Sequence, residues 1–136
     1  LSLHDALPIF AGTVHIIGRR RWNKRGAMVT DRYQHVRYHP DVEAFLAAMA
    51  DEARPVVAID NTPGAERIET ATIPERCVFL FGQEGPGLTE QAVAGADAHL
   101  EITQFGSTRS INASAAAAIV MHSWVVQHAE LPGATS

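Results

Sequence analysis

Cysteine is nearly absent from this 136-residue chain, in which Cys77 stands alone. One cysteine excludes an internal disulfide and any multi-cysteine zinc site. Its place in the apolar run Cys77-Val78-Phe79-Leu80-Phe81 predicts a buried structural thiol rather than a nucleophile. A secretory signal is also lacking: Leu1 to Phe10 has no basic leader, and Asp5 interrupts its apolar stretch. The expected location is the cytoplasm. No run is suited to a membrane either. The longest uncharged one, Ser110 to Ala129, has about the length of a span. However, Ser110, Asn112, Ser114, His122, Ser123, Gln127 and His128 place too many polar groups there for lipid, so it predicts a buried helix. There is no internal repeat and no low-complexity tract. With 46% hydrophobic and 19% charged residues, the composition excludes disorder, a collagen repeat and a coiled coil, and the length fits one domain.

Several catalytic signatures are missing as well. There is no G-x-G-x-x-G fingerprint, no Walker loop and no G-x-S-x-G elbow. His35 and His39 lie four apart, but no H-E-x-x-H accompanies them, so no metal site is expected.

What is present begins with charge. The formal sum of −4 argues against a nucleic-acid partner, yet it conceals an asymmetry. Residues 1–40 hold seven cations and two acids (+5), whereas residues 41–136 hold four cations and thirteen acids (−9). Within the basic third, Arg19-Arg20-Arg21-Trp22-Asn23-Lys24-Arg25 packs five positive charges around an indole. A phosphate-binding patch with a stacking platform has this make-up, although a solvated basic loop does too.

Periodicity predicts the elements. Val14 to Gly18 is a β-branched run ending in glycine and reads as a strand; His35 to His39 reads as a second. Between Asp41 and Ala53 the apolar positions Val42, Phe45, Leu46 and Met49 follow the helical period. Pro55 to Asp60 reads as a third strand, closed by the turn Asn61-Thr62-Pro63-Gly64. Cys77 to Phe81 reads as a fourth, apolar at consecutive positions as a strand covered on both faces should be. A short helix from Thr89 to Ala94, with Thr89 as N-cap, a strand from His99 to Thr103 and a long helix from Ile111 to His128 complete the order. Alternating strands and helices predict an α/β domain with a mainly parallel sheet flanked by helices.

In such sheets ligands bind beyond the carboxyl ends of the strands, and two polar glycine-bearing loops occupy such positions. The first is Gly82-Gln83-Glu84-Gly85-Pro86-Gly87; the second is Gln104-Phe105-Gly106-Ser107-Thr108-Arg109-Ser110-Ile111-Asn112. Alone, each has an ordinary explanation: a Gly-Pro-Gly turn is often only a turn, and Ser or Asn before a helix is often only a cap.

Together, Leu80 to Leu88 and Ile102 to Ser114 resemble, in order and separation, the second and third motifs of the SpoU/TrmH RNA ribose methyltransferases of the SPOUT superfamily. The resemblance runs from about Phe10 to the end, and Val14 to Gly18 followed by the Arg-Trp-Asn segment is similar to the actinobacterial-type branch. It implies an α/β fold whose C-terminal segment forms a trefoil knot, an exception to ordinary chain topology that periodicity does not reveal. It also implies S-adenosyl-L-methionine as cofactor, tRNA or rRNA as partner, methyl transfer to a ribose 2′-hydroxyl, and a homodimer with no metal and no membrane association. By position, Gly82, Ile102 and Ile111 match cofactor-contacting places. Glu84, Ser110 and Asn112 match the polar active-site places, and Arg19, Arg20, Arg21, Lys24 and Arg25 are the expected RNA-facing cations.

The sequence departs from the family pattern in two places. The first motif, an Asn followed by an Arg thought to activate the 2′-hydroxyl, should precede Val14 and is absent. Residues 1–9 are accordingly read as a non-family, artefactual leader, and residues 10–136 as a methyltransferase domain beginning late. The second departure is Gln104, where methionine is common in the family. Two competing readings remain: a catalytically inactive RNA-binding module of the same fold, and a dinucleotide-dependent oxidoreductase, which the missing glycine fingerprint disfavours.

Overall fold

The computed structural model describes residues 13–18, 35–82, 87–105 and 113–129. Strands β1 (Thr13–Ile17) and β2 (His35–His39) pair in parallel, with Thr13 opposite His35 and Ile17 opposite His39. Helix α1 (Val42–Asp51) starts where the sequence signals it should: the Asp41 carboxylate accepts from the Ala44 N–H at 2.8 Å, filling one of the orphan donors of the first turn. Helix α2 (Glu90–Gly95) is capped in the same way by Thr89, whose hydroxyl accepts from the Ala92 N–H at 3.1 Å.

A second, four-stranded sheet contains β3 (Val56–Ile59), β4 (Glu66–Arg67), β5 (Val78–Phe81) and β6 (Ala98–Glu101). Its order is β4-β6-β3-β5, with all neighbours parallel. Every residue of β3 is buried, and alternation explains why. Val57 and Ile59 join Ile68, Ile73, Leu100 and Val120 on one face, where helix α3 (Ala113–His128) supplies Val120 and the partly buried Trp124. Val56 joins Phe45, Met49, Leu80 and Ala92 on the other face, covered by α1 and α2. Helices therefore flank the sheet on both sides, the arrangement that makes a parallel strand apolar at every position.

The run at residues 77–81 forms a strand covered on both faces, as expected: Phe79 and Phe81 pack on the α3 side and Val78 and Leu80 on the α1 and α2 side, while β5 ends the sheet among the described residues. An apolar run signals two packed faces but not whether both flanks are paired. β4 has no sequence signal at all, being two exposed charged residues held by the edge of β6.

The carboxyl half of α3 is fastened to the segment before β5. Gln127 accepts from the Ile73 N–H at 2.8 Å and donates to the Ala71 carbonyl at 3.0 Å, and the Trp124 indole donates to the Glu75 carbonyl at 2.9 Å. His128 bonds the Ile73 carbonyl. Cys77 packs partly buried against this core, and burial pushes its thiol up to about 11, in keeping with an inert structural role. Among the described residues no helix is long and apolar enough to cross a membrane.

Candidate active site

Three strands, β3, β5 and β6, end side by side, and the residues that follow them are Asp60, Gly82 and Ile102. Gly82 is the tightest point. A Cβ there would lie 2.3 Å from the Gly87 carbonyl carbon and 2.5 Å from the Leu88 nitrogen, so only glycine lets the two ends of the loop approach this closely. Gly87 has a φ of +72°, and a Cβ on it would meet the Asp60 carboxylate at 3.1 Å. The Asp60 carboxylate accepts from the Leu88 N–H at 3.1 Å and from the Asn61 N–H at 2.9 Å. The Gly87–Leu88 peptide is thus sandwiched between Gly82 and Asp60.

Asp60 is itself fixed by the sheet. Its N–H donates to the Leu100 carbonyl at 3.1 Å, and its carbonyl lies 3.2 Å from His99 Nε2, which also lies 3.0 Å from Thr62 Oγ1. A carbonyl only accepts, so for that contact the Nε2 of His99 carries the proton.

On the β6 side, Ile102 packs against the core beneath α3. The Thr103 N–H donates to the Glu69 carboxylate at 3.1 Å, whereas the Thr103 hydroxyl is buried with no hydrogen-bond partner among the described residues. Buried hydroxyls are rarely left so, and a polar ligand atom would complete this one. Two residues on, Phe105 is 96% exposed. Among the described residues no three His, Cys, Asp or Glu side chains gather as a metal site would need.

Of the residues singled out in the sequence, Gly82 and Ile102 are therefore brought to one end of the sheet. Glu84, Ser110, Ile111, Asn112, Arg19, Arg20, Arg21, Lys24 and Arg25 lie outside the described residues. Asp60, His99 and Thr62 have no place in the motif reading, and Thr103 lies within the motif at residues 102–114 but is given no role there. Asp60 carries one signal, a carboxylate at the end of an apolar run, but the sequence reads it as the last residue of the third strand, before the turn Asn61-Thr62-Pro63-Gly64.

Comparison with known proteins gives this geometry a relationship. The model of the SpoU rRNA methylase family matches residues 9–122. The chain belongs to that family. As a SpoU-family chain it is similar to the tRNA (guanosine(18)-2′-O)-methyltransferase of Borreliella burgdorferi, with 26% identity over 117 residues, 84% of this chain and 54% of that protein. It spans about half the length of that curated relative. Two solved structures share its fold. The AdoMet-bound rRNA methyltransferase of Sinorhizobium meliloti superposes with a TM-score of 0.77 at 20% identity, covering 92% of this chain and 50% of that one. The SpoU methyltransferase AviRb of Streptomyces viridochromogenes, in complex with AdoMet, superposes with a TM-score of 0.72 at 18% identity, covering 92% and 53%. The parallel-sheet α/β architecture expected from the sequence is thus the architecture of SpoU proteins.

Proposed function

We propose that this SpoU-family chain carries the cofactor-binding part of an RNA methyltransferase that uses S-adenosyl-L-methionine to methylate a ribose 2′-hydroxyl of tRNA or rRNA. The observation that carries the reading is the glycine-closed neck between Gly82 and Leu88, set beside Ile102 at the carboxyl end of a parallel sheet. The names of its relatives, tRNA 2′-O-methyltransferases and AdoMet-bound methyltransferases, support it.

The residues present fit that cofactor. Gly82 leaves backbone where a side chain would intrude, Ile102 offers an apolar wall, and the Thr103 hydroxyl, without a hydrogen-bond partner among the described residues, offers a polar edge. When bound, the cofactor supplies a methyl group made electrophilic by its sulfonium, so the protein's task is to bind and to orient. In this reading Gly82, Ile102 and Ile111 hold the cofactor, while Glu84, Ser110 and Asn112 orient the ribose and its hydroxyl. Arg19, Arg20, Arg21, Lys24 and Arg25 neutralise RNA phosphates. The reading includes a cytoplasmic homodimer and a C-terminal trefoil knot; the exposed Ile119 and Val126 of α3 support the dimer.

Thermal unfolding with and without cofactor tests the proposal. At a free cofactor concentration about a hundred times Kd, linkage stabilises the folded chain by about 2.7 kcal/mol, which raises Tm by several degrees. An unchanged Tm at saturating S-adenosylmethionine overturns it.

A further inference from the structure

Asp60 does something the motifs do not describe. Its backbone is held by β6, through the Leu100 carbonyl and His99, so its carboxylate is placed by the sheet and not by the loop it touches. That carboxylate reaches across 28 positions of sequence to the Leu88 N–H and stands 3.1 Å from where a Cβ on Gly87 would lie. Opposite it, Gly82 presses on the same peptide. The chain therefore leaves the sheet at Gly82 and returns at Leu88 through one closed neck. Beyond the neck, Leu88 packs with the core of α1 and α2.

We infer that Asp60 is a positioning residue: it holds the neck of the Gly82–Leu88 loop shut, and thereby sets the chain's affinity for S-adenosylmethionine. The second half of this statement rests on the cofactor reading above; the first half does not. Asp60 touches the loop backbone, and its effect on the cofactor passes through Gly87 and Leu88. A loop whose two ends are already fixed loses less freedom when a ligand arrives, and ordering costs of this kind are what preorganisation removes.

A matched control exists on the same strand. At the opposite end of β3 the Asp97 carboxylate accepts from the Val56 N–H at 2.8 Å, a bond of the same type far from the loop. The experiment compares the whole chain with its Asp60→Ala, Asp60→Asn and Asp97→Ala variants by amide hydrogen exchange and by calorimetric titration with S-adenosylmethionine. Asp60→Ala is expected to speed exchange at the Leu88 amide while the β3 amides stay protected, and to raise Kd tenfold or more. Asp60→Asn keeps an acceptor oxygen of the same shape, so it is expected to recover part of both effects. Asp97→Ala is expected to lower Tm without moving Kd.

Unchanged Leu88 exchange together with an unchanged Kd in Asp60→Ala overturns the inference, as does a rise in Kd for Asp97→Ala equal to that for Asp60→Ala. If the unaltered chain binds no S-adenosylmethionine, the cofactor reading fails and with it the affinity half of the inference. The neck itself is then judged on Leu88 exchange alone.

Discussion

His15 and His39 are bound to each other only while at least one of them is neutral. His15 Nδ1 lies 3.0 Å from His39 Nε2, and a hydrogen bond between two ring nitrogens needs a proton on one and a lone pair on the other. Phe45 closes the site with its ring edge-on to both, at 5.5 and 5.2 Å between centroids. Burial, and then the charges of His39 and Arg37, bring His15 down from 6.5 to about 4; burial and Arg37 lower His39 as well. Glu52 acts in the opposite direction on both, but it is bonded to Arg37 at 2.8 Å. In the unfolded chain both imidazoles take up protons near their ordinary value, so below it the unfolded state binds more protons than the folded one. The stability contributed by this pair is therefore complete above about pH 6.5 and is lost as pH falls toward 4. Tm should drop by several degrees between pH 7 and pH 5, and a His15→Leu/His39→Leu double variant should flatten that slope. Glu52 cannot produce the same signal in this window, because Arg37 holds its carboxyl below its ordinary 4.5. An unchanged slope in the double variant would assign the acid sensitivity elsewhere.

At the scale of elements, α3 shows how much of the structure could be read from the chain and how much could not. Its helical character and its burial follow from a long uncharged run that ends, as the pattern suggests, at His128. Ala116, Ala117, Val120 and Met121 face the core. Ile119 and Val126, one heptad apart on the outward side, remain 41% and 67% exposed. Because the helix is apolar nearly all round, its sequence does not say which side is inside; the fastening of Gln127 and Trp124 to residues 71–75 decides that. β4 and the edge position of β5 were illegible for a related reason, since both depend on which strand lies alongside. Gly82 and Ile102 are marked in the sequence by their places in the two motifs, whereas the contact made by Asp60 depends on a partner 28 residues away. Ile119 and Val126 lie on one outward stripe of α3. If two copies meet there, light scattering of the chain gives about twice its 14.7 kDa mass, and Ile119→Glu or Val126→Glu moves it to the monomer value while the helix content stays unchanged. A monomeric parent chain, or a dimer indifferent to both substitutions, overturns the proposed interface.

For the molecule as a whole, the decisive quantity is not the net charge of −4 but its division into +5 before residue 41 and −9 after it. A uniformly acidic protein repels RNA at every approach; under the proposed function, a chain whose cations are concentrated in one stretch of sequence attracts phosphate through that stretch. The acidic remainder then acts against misplaced binding, since RNA laid over Glu43, Asp51, Glu66, Glu69 or Glu90, all exposed, meets like charge. Affinity should accordingly reside in Arg19, Arg20, Arg21, Lys24 and Arg25, and it should be salt-dependent, because each phosphate neutralised releases condensed counterions. With bulk tRNA as the probe, the logarithm of the binding constant should fall linearly with the logarithm of salt concentration. Reversing Arg19, Arg20 and Arg21 to Glu should weaken binding and reduce that slope by about 2 to 3, at roughly 0.7 to 0.9 for each phosphate no longer neutralised. The cofactor-induced rise in Tm should survive the same substitutions, because the residues that fit the cofactor lie at the ends of β5 and β6. A salt slope that does not change would place the RNA on another face of the molecule. A missing cofactor response would mean instead that the basic segment and the glycine neck depend on each other, and the two halves of the charge distribution would then have to be treated as one site.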